Sequence, residues 1–155
     1  MNGGEIKTMS KKFFVGGPIS NLKEVNGLED FIKIHSFIIN ELSRQGFQVF
    51  SAHIVEKYGR NKIEPDDVIV NRDLGWIDEA DVCIFLFPAY DCQSIRTDGT
   101  YIELGYAASK CNHIICFWDC NNPTAYSPMF RGMTNKNIEM HNFDEIREVL
   151  NRFEL

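Results

Sequence analysis

The sequence predicts an α/β fold built around a mostly parallel sheet of five strands, and three observations lead to this prediction. Short apolar segments alternate with longer segments of helical periodicity along the chain. The segment 81–87 is almost wholly apolar after its first residue, as is typical of a central parallel strand covered on both faces. Glycine or proline follows several of the apolar segments and marks the turns at which strands end.

The first half of the chain supplies two of these strands and one helix. Residues 12–15 form an apolar strand that ends at the turn-forming sequence Gly-Gly-Pro. Apolar residues then recur at helical spacing over 28–42, which predicts a helix. His35 lies on this apolar stripe and is interpreted as a core histidine whose hydrogen bonds are satisfied. A second strand is predicted at 47–50, and the polar segment 51–65 is interpreted as a loop or an irregular crossover.

The second half supplies the other three strands. A helix is predicted at 65–79, because Pro65 suits the first position of a helix. The central strand over 81–87 then ends at a proline. The same alternation predicts a helix at 98–110, a buried strand at 113–118, an edge strand at 137–140 and a final helix at 144–153.

This order of elements predicts a flavodoxin-like or Rossmann-like three-layer sandwich, because strands that alternate with helices form right-handed crossovers with helices on both faces of the sheet. A single domain is expected at residues 11–155, after a flexible N-terminal segment at residues 1–10. In such sheets, ligands bind outside the carboxyl ends of the strands. We therefore expect the segments 16–20, 51–57 and 88–103 to converge on one cleft.

Composition and charge argue against several classes of protein. The 155 residues suffice for one hydrophobic core, and 44% hydrophobic with 25% charged residues is ordinary for a soluble globular protein. A formal net charge of -6 argues against a nucleic acid polymer as partner, because phosphate neutralisation requires clustered lysines and arginines. The apolar segments are much shorter than the ~20 residues that cross a bilayer, and the polar first residues do not resemble a secretory signal. No membrane association is expected.

The five cysteines are odd in number, and three of them lie in or beside apolar segments. This pattern predicts reduced thiols in the cytoplasm instead of a disulfide framework. Cys116 and Cys120 are separated by three residues and have no second pair, so their spacing does not predict a zinc site. No metal and no cofactor are expected.

Two of the segments near the expected cleft suggest chemistry without defining it. Gly16-Gly17-Pro18 follows the first strand, where a backbone can approach a ligand closely, but the full glycine fingerprint of a dinucleotide site is absent. A simple turn and a ligand-facing loop both fit this segment. Asp73 lies at helical spacing from apolar residues, so its carboxylate is expected on an inward face. There it either forms an ion pair or hydrogen bond, or takes part in proton transfer.

Glu103 lies in the segment 98–103, Asp-Gly-Thr-Tyr-Ile-Glu, which is expected at the first turn of a helix. Thr-x-x-Glu is the pattern of a capping box, in which the Thr100 hydroxyl accepts from the Glu103 amide and the glutamate accepts from the Thr100 amide. A helix start also provides donors for an anion, so the same turn could hold a phosphate or a carboxylate poised for attack. The residues alone leave both roles open.

The segment 98–107, Asp-Gly-Thr-Tyr-Ile-Glu-Leu-Gly-Tyr-Ala, resembles the Gly-Thr-x-x-Glu-Leu-Gly-x-Ala signature of the nucleoside 2-deoxyribosyltransferase superfamily. Further segments are similar in order and spacing to the branch that contains the 2'-deoxynucleoside 5'-phosphate N-hydrolases and the bacterial cytidylate N-glycosidases. They are residues 73–77, 80–82, 51–53 and 127–132. The resemblance extends from residue 13 to residue 153.

The resemblance implies an enzyme that cleaves the bond between a base and its sugar. Glu103 takes the position of the family's nucleophile, which attacks the anomeric carbon and forms a glycosyl ester. Water or a second base then releases the sugar. Asp73 matches the family's second acidic residue, which positions the nucleophile or passes a proton to the departing base.

The resemblance also implies contacts for a nucleotide. In the branch that uses monophosphates, hydroxyls and backbone amides hold the 5'-phosphate, and Ser127 matches a serine that arrives from the second subunit of a homodimer. Thr97 lies six residues before the nucleophile, at the position of a phosphate-contacting serine. The other expected substrate-binding residues are Phe13, Gly16, Gly17, Ser20, His53, Gly99 and Met129.

Two departures from the family pattern concern the substrate. Phe13 replaces a tyrosine near the nucleophile, which leaves Tyr101 or Tyr106 to supply a hydroxyl contact to Glu103. The segment 17–20 replaces a loop with a serine and a basic residue, and it offers a serine without an arginine. Asp98 also places a negative charge near the expected phosphate.

Hydrolysis of nucleoside or deoxynucleoside 5'-monophosphates is the leading hypothesis from the sequence. A nucleoside 2-deoxyribosyltransferase that exchanges bases between deoxynucleosides is the first alternative, because the same covalent intermediate serves both reactions. A nucleotide-binding sensor without turnover is the second alternative. The sequence leaves the base, the choice between ribose and deoxyribose, and the need for a 5'-phosphate open.

Overall fold

The computed structural model describes residues 10–19, 27–58, 64–90, 93–111, 113–133 and 137–154. Seven strands are described, of which five form the central sheet and two form a separate antiparallel hairpin. The central strands are β1 (Lys12–Gly16), β2 (Gln48–Phe50), β3 (Val82–Phe87), β6 (Ile114–Trp118) and β7 (Ile138–Asn142). The hairpin strands are β4 (Ala89–Tyr90) and β5 (Gln93–Ser94).

Six α-helices connect and cover the strands of the described chain. They are α1 (Leu28–Arg44), α2 (Ala52–Glu56), α3 (Asp66–Glu79), α4 (Asp98–Lys110), α5 (Pro128–Arg131) and α6 (Ile146–Asn151). Short 3-10 turns precede α5 and α6, at Pro123–Ala125 and Phe143–Glu145. Within the described residues, none of these helices is both long and apolar enough to cross a bilayer.

The five central strands pair in the order β2-β1-β3-β6-β7, and every pairing is parallel. This is the flavodoxin-like order, in which the chain moves outward in one direction from β1 and then returns to build the other side of the sheet. The predicted α/β sandwich with a five-stranded sheet is therefore confirmed. The direction of winding changes between β1 and β3, so the connections that leave the carboxyl ends of these two strands run to opposite sides and leave a crevice where a ligand can bind.

Two apolar clusters cover the two faces of the sheet. Phe13 and Val15 of β1 face α1 and α6, where Phe31 and Leu150 complete one cluster. Alternate residues of the same strands face α3 and α4, and they pack with Leu104 in the other cluster. All six residues of β3 are buried, which explains why its sequence is a continuous apolar run. The described cysteines are free thiols, and three of them are buried.

Four predicted elements differ in detail from the structure. The segment interpreted as a loop from residue 51 contains α2, a helix of five residues that is too short for helical periodicity to reveal. The edge strand extends to Asn142, and the last helix begins only at Ile146, after a 3-10 turn. Pro65 is the N-cap of α3 instead of its first residue. The β4–β5 hairpin was not predicted, because its two-residue strands lack a recognisable alternation.

Candidate active site

Glu103 lies in the second turn of α4, because the helix begins at Asp98 and Thr97 is its N-cap. Of the two roles left open for Glu103, the capping box with Thr100 is not formed: Thr100 is already inside the helix, and its hydroxyl pairs with the hydroxyl of Thr97. The helix starts three residues before the position that the Thr-x-x-Glu pattern requires. The Glu103 carboxylate is consequently available for contacts away from its own backbone.

The carboxyl groups of Glu103 and Asp73 are hydrogen-bonded to each other. Asp73 is 6% exposed and lies on the buried face of α3, as its spacing from apolar residues predicted. Two carboxyl groups can share a hydrogen bond only when one of them carries a proton. Burial raises the pKa of Glu103 well above its usual value, and the charge and hydrogen bond of Asp73 raise this pKa further. Raised carboxyl pKa values of this origin are typical of sites that transfer protons.

Asp73 is anchored by an ion pair whose partner, Arg72, the sequence did not indicate. The Nε of Arg72 donates to Asp73 Oδ1 at 2.8 Å, and the Nη2 of Arg72 donates to Glu56 Oε2 at 2.8 Å. Adjacent residues of a helix do not ordinarily face each other, so Arg72 was not an obvious partner for Asp73. Glu56 comes from α2, the helix that was not predicted. The ion-pair and proton-transfer interpretations of Asp73 are thus compatible in this geometry.

Gly16 ends β1 directly beside the Glu103 carboxylate. A Cβ atom at Gly16 would lie 2.9 Å from Glu103 Oε2, 3.0 Å from the Phe14 ring and 3.2 Å from the Phe85 ring. Gly17 is constrained by a different neighbour, because a Cβ there would lie 2.9 Å from the Phe31 ring. The two glycines therefore let the backbone pass close to the carboxyl pair and to α1.

We expect Gly16→Ala to reduce kcat/KM for the reaction at this site by about 100-fold. The new methyl group would displace the Glu103 carboxylate, and misplacing a reacting group costs this much activity. The same crowding should lower the free energy of unfolding by about 1–3 kcal/mol. Gly75→Ala on α3 is the matched control, since a Cβ there meets nothing within 4 Å. Equal activities of the two variants would contradict this assignment of Gly16.

Phe13 does not reach the site, which corrects the prediction that it binds substrate near the nucleophile. Its side chain is fully buried on the α1 and α6 face, where it packs against the rings of Phe47 and Phe153. Side chains alternate between the faces of a strand, so the next residue, Phe14, lies on the Glu103 face with Phe85. The aromatic residue of β1 that borders the carboxyl pair is therefore Phe14.

A chain of hydrogen bonds supports the loop that follows β1. His53 Nε2 donates to the Pro18 carbonyl at 3.0 Å, because a carbonyl can only accept. His53 Nδ1 then accepts from Ser51 Oγ at 3.3 Å, and Ser51 accepts from His35 Nε2 at 2.9 Å. His35 Nδ1 in turn accepts from the Tyr58 hydroxyl at 2.8 Å. One direction of donation satisfies every member, with both imidazoles neutral.

The two histidines are core residues that hold the loop in place. His35 is 0% exposed and both of its ring nitrogens have partners, as its position on the apolar stripe of α1 predicted. His53 is 1% exposed and lies beneath Pro18, which differs from the predicted contact with a substrate. Burial lowers the pKa of His35 to about 3 and that of His53 to about 4. Both rings are therefore neutral near pH 7.

This pair predicts a loss of stability in mild acid. Unfolded histidines take up protons near pH 6.5, whereas the folded rings stay neutral until about pH 4 and about pH 3. The stability contributed by the neutral rings is therefore present above pH 6.5 and is lost as the pH falls, with a slope of up to about 1.4 kcal/mol per pH unit for each ring. The free energy of unfolding, measured with urea between pH 7 and 4.5, should fall less steeply with decreasing pH in His35→Gln than in the wild type. Equal slopes would contradict the neutral state of His35.

An aromatic group lines the carboxyl end of β3 on the α4 side. Phe87 stacks on Tyr101 at 4.7 Å between ring centres, and Phe130 lies 4.7 Å from Phe87. Burial raises the pKa of Tyr101 to about 12. Tyr106 donates its hydroxyl hydrogen to Asp78 Oδ1 at 2.7 Å. Neither Tyr101 nor Tyr106 therefore makes the predicted hydroxyl contact to Glu103.

The start of α4 carries the residues expected near a phosphate. Thr97 caps the helix and is 8% exposed, and a Cβ at Gly99 would meet nothing within 4 Å, so the surface above the first turn is open. Arg96, which no sequence pattern singles out, donates from Nη2 to Asp98 Oδ2 at 2.8 Å. The negative charge of Asp98 is therefore partly offset by a neighbouring guanidinium.

The remaining predicted site residues lie at the periphery or outside the described chain. Ser127 is the N-cap of α5, and its hydroxyl accepts from the Phe130 amide at 3.2 Å. Met129 is 86% exposed on the same short helix. Ser20 lies outside the described residues. The structure thus brings together Glu103, Asp73 and Gly16, and His53 holds the loop that follows Gly16 through its hydrogen bond to Pro18.

Two solved structures share the arrangement of this chain. The CMP N-glycosidase BcmB of Clostridium botulinum superposes with a TM-score of 0.60 and 21% identity, over 92% of this chain and 97% of that one. A 2-desoxiribosyltransferase from Leishmania mexicana superposes with a TM-score of 0.55 and 15% identity, over 94% of this chain and 99% of that one. This chain has their fold. The names of these two structures are those of an N-glycosidase and a 2-desoxiribosyltransferase.

The sequence itself gives no independent assignment. No protein-family model matches the chain, and no curated protein matches it.

Proposed function

We propose that this protein is a nucleotide N-hydrolase of the nucleoside 2-deoxyribosyltransferase superfamily. It cleaves the N-glycosidic bond of nucleoside or deoxynucleoside 5'-monophosphates and releases free base and sugar 5-phosphate. The observation that carries this proposal is the hydrogen-bonded pair of Glu103 and Asp73 beside Gly16. The signature-like segment 98–107 and the fold shared with a CMP N-glycosidase support the same conclusion.

The pair supplies the two functions that the cleavage requires. When substrate binds, the proton shared by the pair moves to Asp73, and the Glu103 carboxylate attacks the anomeric carbon. The C–N bond breaks, its electron pair stays with the base, and the base takes the proton from Asp73. Water, activated by the Asp73 carboxylate, then cleaves the glycosyl ester and restores Glu103. Attack twice at the same carbon retains the configuration of the sugar.

The phosphate is assigned to the start of α4. A helix N-terminus offers unpaired amides to an anion, and Thr97 and Gly99 lie at this end of a 13-residue helix. The ion pair of Arg96 with Asp98 reduces the unfavourable charge that Asp98 would present to a phosphate. Ser20 and Gly17 of the loop after β1 are the further contacts that we propose from the resemblance.

A homodimer would complete the site through Ser127 of the second subunit. Ile102 of α4 and Met129 of α5 are large apolar side chains that are 68% and 86% exposed. Exposed apolar side chains mark a protein contact where they form one patch, and the contact between the Tyr101 and Phe130 rings brings α4 and α5 side by side. They support the placement of a subunit contact beside α4 and α5, where Met129 would border the substrate.

The test is a base-release assay on ribonucleotides and deoxyribonucleotides, each with and without its 5'-phosphate. We expect free base from at least one monophosphate, and release at least 10-fold slower from the matching nucleoside because the phosphate contacts are missing. Tight binding of a monophosphate without any base release would favour a nucleotide sensor and contradict the proposal.

A second candidate function is base exchange between deoxynucleosides. The fold shared with the 2-desoxiribosyltransferase of Leishmania mexicana favours it, because a glycosyl ester can be released by a base as well as by water. Adding a second free base to the assay separates the two functions. Formation of a new nucleoside at the expense of free sugar would favour the transferase, and sugar release without exchange would favour the hydrolase.

A further inference from the structure

Arg72 lies between two carboxylates and is fixed on a third side by an aromatic ring. Its guanidinium donates to Asp73 and to Glu56 at 2.8 Å each. The side chains are largely removed from solvent, with exposed fractions of 15% for Arg72, 17% for Glu56 and 8% for Asp73. The guanidinium carbon also lies 5.1 Å from the centre of the Trp76 ring, which stacks on Phe50 of β2. These contacts hold the guanidinium in one orientation.

The charges around Glu103 come from three elements. Asp73 and Arg72 face it from α3, Glu56 adds a negative charge from α2, and Cys83 of β3 is the titratable group beneath it. The Cys83 thiol keeps its hydrogen in a hydrogen bond to Cys111, which raises the pKa of Cys83, and burial raises it further, so this thiol adds no charge. The guanidinium of Arg72 is thus the positive charge that acts on the three carboxyl groups of Glu103, Asp73 and Glu56.

One positive charge does not neutralise three carboxylates in a region that is largely shielded from water, so one carboxyl group retains a proton. Arg72 donates directly to a carboxyl oxygen of Glu56 and to one of Asp73, so each of these groups already serves as an acceptor. Glu103 instead shares its hydrogen bond with Asp73. The proton is therefore best placed on Glu103, which donates it to an Asp73 carboxylate that Arg72 stabilises.

We propose that Arg72 is a positioning residue that keeps the shared proton of the pair on Glu103, and that Glu56 weakens this control by drawing the guanidinium toward itself. The proposal deepens the proposed function and rests on it for its catalytic meaning. The position of the proton is a property of the free protein, so it can be measured without a substrate.

Replacement of Arg72 and replacement of its second partner, Glu56, should shift the titration of the pair in opposite directions. Removing the guanidinium in Arg72→Met removes a positive charge, so the pair should hold its proton to a pH higher by about one unit. Removing the charge of Glu56 in Glu56→Gln removes a negative charge, so the pair should lose its proton at a lower pH. Arg72→Lys keeps the charge and should stay near the wild type. A purely structural role for the ion pair would not produce opposite shifts.

The experiment is a ¹³C NMR titration of the Glu103 and Asp73 carboxyl carbons in the full-length protein. We expect the Glu103 midpoint to move up in Arg72→Met and down in Glu56→Gln, and the Asp73 carbon to share the titration in Arg72→Met. Arg44→Met is the matched control, because it removes a guanidinium from a different ion pair. Arg44 Nη2 lies 2.9 Å from Glu41 Oε2 on α1. It should leave the midpoint unchanged.

Shifts in the same direction, or no shift in either variant, would overturn the proposal. Arg72→Lys and Glu56→Gln keep it testable if Arg72→Met does not fold. The base-release assay on the same proteins separates this proposal from the proposed function. Opposite NMR shifts without base release by the wild type would leave the proton assignment intact and reject the function. Base release by the wild type, with a Glu103 midpoint that does not move in the variants, would support the function and reject the proton assignment.

Discussion

Glu103→Gln is expected to reduce kcat/KM on the best nucleotide substrate by about four orders of magnitude or more. The glutamine side chain has the same size and keeps a hydrogen bond with Asp73, but its amide oxygen cannot form a stable ester with the anomeric carbon. Loss of a nucleophile that acts in concert with an acid removes most of the catalysis, and the residual rate reflects binding alone. A steady-state base-release assay measures the effect.

Glu103→Gln should also be more stable than the wild type at pH values above the usual pKa of a glutamate. The raised pKa of Glu103 means that the folded protein holds a proton that the unfolded chain releases near pH 4.5. The stability due to this proton is present below pH 4.5 and is lost as the pH rises through the folded pKa. Glutamine does not ionise, so the melting temperature of Glu103→Gln relative to wild type should increase with pH.

Glu41→Gln is the matched control for Glu103→Gln. Glu41 lies on α1 in an exposed ion pair with Arg44, and the hydrogen bond from Arg44 lowers its pKa. Its replacement should leave base release unchanged, and it should not increase stability at neutral pH. A Glu103→Gln protein that retains wild-type activity, or that is less stable than wild type at pH 8, would contradict the assigned role of Glu103.

Asp73→Asn is expected to reduce kcat/KM by about 10²–10⁴-fold, the usual range for loss of a general acid. The loss should be greatest for bases that leave poorly and smallest for bases that leave without protonation, because only the former need the proton. The substitution also removes the charge beside Glu103, so the pKa of Glu103 should fall. An equal loss for all leaving bases would show that Asp73 only positions the nucleophile.

The fold was predictable because its strands are short and apolar and its helices are long. Each of the five central strands was found within a few residues of its predicted position, and their parallel pairing follows from the helices between them. The faces of β1 were not predictable in the same way. Every residue from Phe13 to Val15 is apolar, so the sequence contains no alternation that would distinguish Phe13 from Phe14. Only the positions of α1 and α4 decide which ring borders Glu103.

The candidate site was predictable where one element carries the signal. Asp73 was found because it interrupts an apolar helix face, and Glu103 because its segment resembles a known signature. The predicted helix 98–110 agrees with α4, but Thr97 and Thr100 are equally good caps by residue type, so the Thr-x-x-Glu pattern alone also allowed a later helix start. Arg72 and Glu56 were missed because their contacts depend on how α2 packs against α3, which no local pattern encodes.

The most direct test of the central claim is the mass of the protein after its reaction with the best monophosphate has been stopped with acid. A carboxylate that attacks the anomeric carbon must carry the sugar for part of each turnover. We expect a fraction of the wild-type chain to gain the mass of one sugar phosphate, located on a peptide that contains Glu103, and no gain in Glu103→Gln. A sugar attached to any other residue, or base release at the wild-type rate from Glu103→Gln, would contradict the claim.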